Sequence, residues 1–108
     1  MGRFCTAGDF RVKTGHDEED FVRAWRRTGM DMDPPPSREG RWSSVRLLRD
    51  LDRPGHFLSF VEWESQEETD LRQAMNEFRS RPDLQAAMDV LREHADFTLL
   101  TLEEVVRG

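Results

Sequence analysis

The chain has 108 residues, a length that accommodates one domain with one modest hydrophobic core. Charged residues make up 35% of it, apolar residues 36%, and the net charge is −6. This acidic balance argues against nucleic-acid binding, which needs a clustered basic surface. No apolar run has the length of a membrane span, and we expect no secretory signal. Cys5 is the only cysteine, which excludes an internal disulfide and favours a cytoplasmic location.

The first part of the chain has a strand pattern followed by a helix start. Phe4, Phe10 and Val12 recur at even spacing and predict a strand that ends near Gly15. Asp17 is a favourable helix N-cap, and the acidic residues 18–20 lie where the helix dipole stabilises negative charge. We therefore predict that the first helix begins directly after Asp17.

The first helix has an apolar stripe and a proline-rich end. Phe21, Trp25 and Thr28 recur at helical spacing, and the helix is expected to end near residues 29–32. The three prolines at 34–36 cannot continue a helix. Residues 33–41 are therefore expected to form an extended, mobile loop.

Two further strands follow this loop. Residues 42–51 predict the second strand, with Val45, Leu47 and Leu51 on one side. Residues 52–55 contain Pro and Gly in turn positions and indicate a hairpin connection. The third strand, near residues 57–63, has apolar residues on both faces, which are Phe57, Val61 and Trp63 on one and Leu58 and Phe60 on the other.

The last part of the chain has a long helical region and a fourth strand. Ser65 and Glu68 have capping-box spacing and predict the helix start, and Pro82 is expected to divide the region into two helices. Residues 97–106 predict the last strand. That strand also has two apolar faces, with Phe97 and Leu99 on one and Leu100 and Leu102 on the other.

This order of elements predicts an α+β, ferredoxin-like βαββαβ fold with a four-stranded antiparallel sheet and its helices on one face. Residues 1–108 form a single domain in this interpretation, with a core of about 8–106. The open sheet face would expose Leu48, Leu58, Phe60, Leu100 and Leu102, a patch on the order of 500 Å² that is large for a monomer. We expect a second copy of the chain to cover it. The predicted homodimer has Leu58, Phe60, Leu100 and Leu102 near the contact.

Five short segments resemble the antibiotic biosynthesis monooxygenase (ABM) domain family of dimeric α/β barrels. They are FRVKTG at 10–15, LLRD at 47–50, FLSF at 57–60, EWES at 62–65 and FRSRPDL at 78–84. The resemblance covers roughly residues 8–106 and is more specific for the fold than for the activity. The family includes cofactor-free oxygenases of aromatic polyketide biosynthesis, haem-degrading monooxygenases and autoinducer-processing proteins.

The resemblance implies a cofactor-independent monooxygenase that acts on a small aromatic or polyketide-like molecule. In that chemistry a phenol or anthrone is deprotonated and its carbanion reduces dioxygen directly, without flavin or metal. Such a protein needs an apolar pocket for a flat ring system and a donor that stabilises the phenolate. Aromatic and thioether side chains supply such a pocket in this chain, namely Trp25, Trp63, Phe21, Phe78, Met75 and Met88.

Site residues follow from the same resemblance. Trp63 matches a tryptophan that lines the family's pocket, and Ser59 stands where the polyketide oxygenases carry asparagine. Arg79 or Arg81 matches an arginine of the second helical region. A family tyrosine has no counterpart, since the chain contains none, and Gln73 replaces the axial histidine of the haem branch. The resemblance therefore implies catalytic candidates Trp63, Arg79 and Arg81, a substrate pocket of Trp25, Trp63, Met75, Phe78 and Ser59, and no cofactor.

Plainer interpretations exist for these residues. Trp25 and Trp63 also fit ordinary core aromatics, and Arg79 and Arg81 also fit solvent-facing positions. His56 follows a turn and is expected to be solvated. The three histidines have no acidic partners at metal-ligand spacing, so no metal site is predicted.

Two other functions remain open at the level of sequence. One is a non-catalytic protein of the same fold that binds a small hydrophobic ligand. The other is a cyclase-like or isomerising enzyme of the same barrel superfamily. A base or hydrogen-bond donor beside the pocket would favour an enzyme, whereas an entirely apolar cavity would favour binding alone.

Overall fold

The computed structural model describes residues 3–29, 42–64 and 66–108. These residues form, in chain order, β1 (Phe4–Val12), α1 (Glu18–Arg26), β2 (Trp42–Arg49), β3 (His56–Trp63), α2 (Glu68–Arg79), α3 (Pro82–His94) and β4 (Ala95–Glu103). The predicted order is confirmed, including the division of the second helical region at Pro82. The loop predicted at 33–41 and the proposed cap Ser65 lie outside the described residues. None of the described helices is long and apolar enough to cross a membrane.

The four strands form one antiparallel sheet in the order β2-β3-β1-β4. This order is that of the ferredoxin-like fold, so the predicted fold class is confirmed. One sheet face packs against the three helices and is called the inner face here; it includes Phe10, Phe57 and Trp63. The opposite, outer face includes Leu58, Phe60 and Leu100, as the alternation of strand side chains requires.

Three details differ from the sequence-based expectation. Leu51 lies in the connection after β2 and is 90% exposed, because the chain turns after Arg49 and β2 ends there. Helix α2 begins at Glu68 with Glu67 as its N-cap, and the Glu67 side chain makes no capping hydrogen bond. The last strand, expected at residues 97–106, instead runs from Ala95 to Glu103.

The core on the inner face contains two aromatic clusters. Around Phe10, ring contacts reach Phe21 at 5.4 Å and Phe97 at 5.3 Å between centroids, and Phe21 contacts Phe57 at 4.9 Å. Phe21 is fully buried there and does not line the cavity described below, so its expected place in the pocket is wrong. The second cluster joins Trp63 to α2 through Trp42 and Phe78.

Gly8 allows these clusters to approach the sheet. A Cβ on Gly8 would lie 2.4 Å from Cε2 of Phe10 and 2.8 Å from Oγ of Ser59. Because the Phe10 ring is wedged between Phe21 and Phe97, it has little room to move away. The Phe10 ring therefore covers the backbone at a position where only glycine fits.

We expect Gly8→Ala to lower the free energy of unfolding by about 1–3 kcal/mol, the usual cost of overpacking a core. Gly8 has no positive φ, so the effect is steric and does not reflect lost backbone freedom. Chemical denaturation measures it directly. Gly108→Ala is the control, because nothing lies within 4 Å of the added methyl. A Gly8→Ala variant as stable as the parent would contradict this packing.

The outer face has an apolar centre. Leu58 and Phe60 of β3 lie on it with Leu100 and Leu102 of β4, of which Leu100 is 44% and Leu102 is 37% exposed. The two-sided apolar pattern of the sequence is thus reproduced in three dimensions.

His56 lies at the edge of the outer face and is not the solvated turn residue expected from the sequence. Its side chain is only 12% exposed, because Nδ1 lies 2.7 Å from Oδ2 of Asp50 and Nε2 lies 2.7 Å from Oδ1 of Asp9. Both nitrogens donate only when the imidazole is protonated. The hydrogen bonds to Asp50 and Asp9 accordingly raise the pKa of His56, and the bond to His56 lowers the pKa of Asp50.

This cluster predicts a pH-dependent contribution to stability. The part due to His56 is fully present below the ordinary pKa of 6.5 and is lost as the pH rises through the raised folded-state pKa. The part due to Asp50 is present above the ordinary pKa of 3.8 and is lost as the pH falls through the lowered one. The melting temperatures of the parent and His56→Gln should therefore differ most at pH values between 3.8 and 6.5. A difference that does not change with pH would contradict the assignment, and exposed His16→Gln serves as the control.

Candidate functional site

A small cavity lies between the inner sheet face and the helices, with a volume of about 70 Å³. Its walls are mainly apolar and come from all three helices and from strands β1, β3 and β4. The residues predicted for the site that line it are Trp25, Ser59, Trp63, Met75, Phe78, Arg79 and Met88. Their convergence follows from the topology, because β3 runs through the sheet interior beneath the helices. That these residues bind a substrate remains a prediction.

Trp63 forms one wall of the cavity and is held on two sides. Its ring packs edge-on against Trp42, with 5.4 Å between ring centroids. Its indole Nε1–H donates a hydrogen bond of 3.0 Å to Oγ1 of Thr6, on the adjacent strand β1. Both residues are buried. The orientation of the indole is therefore fixed by packing and by a polar partner.

Ser59 supplies a second buried hydroxyl. It lies opposite Gly8 in the β1–β3 pairing and is only 7% exposed. Its hydroxyl makes no hydrogen bond to another residue in the described part of the chain. Ser59 lines the cavity together with Gly8 and Phe10, whose ring covers the Gly8 backbone beside the Ser59 hydroxyl.

Helix α1 closes another side through Trp25 and Thr28. Thr28 follows the helix end, and its Oγ1 donates to the carbonyl oxygen of Trp25 at 2.6 Å. This bond satisfies the buried Thr28 hydroxyl within the protein. Thr28 is therefore a wall residue, and its only hydroxyl hydrogen is already used.

The two candidate arginines have different surroundings. Arg79 is the last residue of α2, lines the cavity, and forms no ion pair within the described residues. Burial lowers the pKa of its guanidinium. Arg81 does not line the cavity, and its Nη2 lies 3.1 Å from Oδ2 of Asp83. The geometry therefore favours Arg79 over Arg81 as a ligand-facing cation.

Sequence reasoning missed several wall residues, chiefly Thr6, Gly8, Thr28, Leu84 and Leu99. Alternation along β1 places Thr6 and Gly8 on the same face as Phe4 and Phe10, and this signal was available in the sequence. Their small size and polarity obscured it. Within the described residues no acidic or histidine side chain lines the cavity, and no group of three or more His, Cys, Asp or Glu could hold a metal ion.

Solved structures share this fold over nearly its whole length. A variant of SnoaB, a cofactor-independent oxygenase from Streptomyces nogalater, has a TM-score of 0.73 at 15% identity, covering 99% of this chain and 97% of that one. A Bordetella bronchiseptica protein provisionally classed as an antibiotic biosynthesis monooxygenase has a TM-score of 0.71 at 19% identity, covering 98% and 100%. Another antibiotic biosynthesis monooxygenase has a TM-score of 0.69 at 16% identity, covering 95% and 99%.

These similarities confirm the resemblance to the ABM proteins at the level of the fold: the chain has the ferredoxin-like architecture of that family. No protein-family model matches the chain, and no curated protein sequence does either. At these low identities the activity has to be argued from the site itself.

Proposed function

We propose that the protein is a cofactor-independent oxygenase that oxidises a small aromatic, polyketide-like molecule with dioxygen. The observation that carries the proposal is an apolar cavity beside Trp63 with an arginine, Arg79, that has no carboxylate partner in the described residues. An aromatic ring fits the apolar walls, and its acidic oxygen fits the cation. The name of the Streptomyces nogalater neighbour, a cofactor-independent oxygenase, is consistent with this chemistry.

The proposed reaction is the oxidation of an anthrone to a quinone. Loss of a proton gives a delocalised anion, which transfers one electron to dioxygen, and the resulting radical pair combines to form a carbon–oxygen bond. The resulting peroxide anion takes up a proton, and the hydroperoxide then loses water, so that one substrate and one dioxygen give one quinone and one water. Arg79 would stabilise the phenolate, and such a contact lowers a phenol's pKa by about 1–3 units.

The size of the cavity sets a condition on this proposal. Its volume of about 70 Å³ is less than half of an engineered cavity of about 150 Å³ that accommodates benzene. A tricyclic substrate therefore requires lining side chains to move. Met75 and Met88 are suited to this movement, because methionine is unbranched and adapts its rotamers readily.

A second candidate function is binding without catalysis. It is favoured by the cavity walls, which contain no carboxylate or imidazole among the described residues to act as a base. In the oxygenase proposal the proton passes to solvent or to the substrate's own phenolate. Both functions therefore predict that the ligand binds, and only the oxygenase function predicts turnover.

We also propose that the protein is a homodimer joined through the outer sheet face. The apolar residues Leu58, Phe60, Leu100 and Leu102 support this proposal, because an open sheet face with this composition is stabilised when a second copy covers it. Two copies related by a twofold axis would bring identical patches together. The helices, and with them the cavity, would stay on the outside of such a dimer.

An aerobic assay against a panel of anthrones tests the oxygenase proposal. The purified protein should convert at least one anthrone to its quinone faster than buffer does, and Trp63→Phe should lower the rate because the indole N–H is lost. No turnover above buffer, with saturable binding retained, would favour the binding function. Absence of both turnover and binding would contradict both.

A further inference from the structure

The donor that the cavity presents beside Trp63 is not the tryptophan itself. The indole has a single N–H, and this N–H already donates to Oγ1 of Thr6 at 3.0 Å. A hydroxyl group has one hydrogen to donate and two lone pairs to accept with. Thr6 therefore accepts from Trp63 and still has its own hydrogen available, on a side chain that lines the cavity.

Ser59 is in a similar situation. It is 93% buried, it lines the cavity, and its hydroxyl is not hydrogen-bonded to any residue that the structure describes. Buried hydroxyls normally have partners, because leaving one unpaired costs free energy. The Ser59 oxygen is not sealed inside the core, since the described residues contain no fully buried side-chain oxygen or nitrogen without a partner. It is accessible from the cavity, so a molecule inside the cavity can be its partner.

The sheet register brings these two hydroxyls together. Thr6 is opposite Val61 and Gly8 is opposite Ser59, so Thr6 and Ser59 are diagonal neighbours on the inner face, with Cα atoms about 7–8 Å apart. Gly8 follows Thr6 by two residues on β1 and lies directly opposite Ser59, where the Phe10 ring covers its backbone. Two hydroxyls at this separation can approach one ligand oxygen from different sides.

We propose that Thr6 and Ser59 together bind an oxygen atom of the ligand, and that Trp63 is a positioning residue that orients the Thr6 hydroxyl. The inference rests on the proposed function in that it requires the cavity to bind an aromatic molecule. The ligand class is an aromatic ketone or phenolate, and the corresponding hydrocarbon is expected to bind more weakly. Donation from the indole polarises the Thr6 hydroxyl and strengthens it as a donor.

This pair also acts as a specificity device. A site built to hydrogen-bond a ligand oxygen discriminates strongly against an analogue that lacks it, because the buried donors are then left without partners. Trp25, Phe78 and Met75 by contrast contact any ring of suitable size. Selection for the oxygen is thus assigned to two residues, whereas affinity for the ring comes from the remaining walls.

The test compares two ligands of the same shape, 1-tetralone and tetralin, which differ in the presence of a ketone oxygen. We expect the wild-type protein to bind 1-tetralone at least about 10-fold more tightly, as measured by quenching of tryptophan fluorescence and by calorimetry. Thr6→Val and Ser59→Ala should each reduce this preference severalfold and leave tetralin affinity nearly unchanged. Thr98→Val, at an exposed position on the outer face, is the matched control.

The role of Trp63 is tested by measuring the same ratio of 1-tetralone to tetralin affinity. Trp63→Phe should lower the preference for 1-tetralone in the parent and have no further effect on it in the Thr6→Val background, as expected for residues that act together. Equal lowering in both backgrounds would overturn the positioning role.

The remaining outcomes distinguish failure of the hydroxyl pair from failure of the proposed function. If both ligands bind and the ratio is the same in wild type, Thr6→Val and Ser59→Ala, the hydroxyl pair is overturned and the ligand-binding cavity stands. If neither ligand binds the wild-type protein, the proposed function is contradicted together with the inference.

Discussion

Leu100→Arg is expected to convert the proposed homodimer into a monomer. Leu100 lies on the outer sheet face and is 44% exposed in the single chain, so an arginine there reaches water without disturbing the fold. In a face-to-face dimer the same guanidinium would be buried without a partner, at a cost of several kcal/mol. The dissociation constant should therefore rise by more than about 100-fold.

Sedimentation velocity at micromolar concentration measures this change. Leu51→Arg is the control, because the same substitution is made at a leucine that is 90% exposed in the β2–β3 connection. That variant should sediment like the parent. A parent protein that is already monomeric would overturn the proposed interface, as would a Leu100→Arg variant that remains dimeric.

Arg79→Ala is expected to reduce kcat/KM for an anthrone by about 10- to 100-fold. A hydrogen bond to a charged group contributes about 1.5–3 kcal/mol, and each 1.4 kcal/mol corresponds to a factor of ten. The substrate's pKa in the complex should also increase, because the cation that favours the phenolate is gone. The rise of the rate with pH should accordingly move to higher pH in the variant.

Arg81→Ala is the matched control for this experiment. Arg81 is two residues away, does not line the cavity, and pairs with Asp83. Its loss should leave both the rate and its pH dependence close to those of the parent. Equal losses in the two variants would instead indicate a general effect of positive charge at this end of α2.

The fold was largely predictable from the sequence because strand alternation and helical stripes are local signals. The alternating apolar residues near Phe57 and Phe60 predicted which side chains of β3 lie on each sheet face. Pro82 predicted the break between α2 and α3. The prediction that Leu51 belongs to β2 was wrong because the chain turns directly after Arg49. Apolar character alone does not show where a strand ends. In such cases turn formation overrides the hydrophobic pattern.

The site was predictable only in part. Large side chains such as Trp63 and Phe78 were identified because their size makes burial expected. Thr6 could not be assigned a role, since its contact with Trp63 joins residues 57 positions apart and depends on the strand register. The prediction of a solvated His56 was wrong because this contact also depends on the register. Asp9 becomes its partner only when β1 and β3 pair.

The proposed function requires that this chain oxidises an aromatic substrate with dioxygen alone. An oxygen electrode tests it most directly, with chelator-treated protein whose flavin, haem and metal contents have been measured and found negligible. We predict catalytic oxygen uptake with an anthrone, with one dioxygen consumed for each quinone formed. The moles of quinone should exceed the moles of enzyme many times. Uptake no faster than in buffer across the anthrone panel, or uptake that returns only when a metal or flavin is added, would contradict the claim.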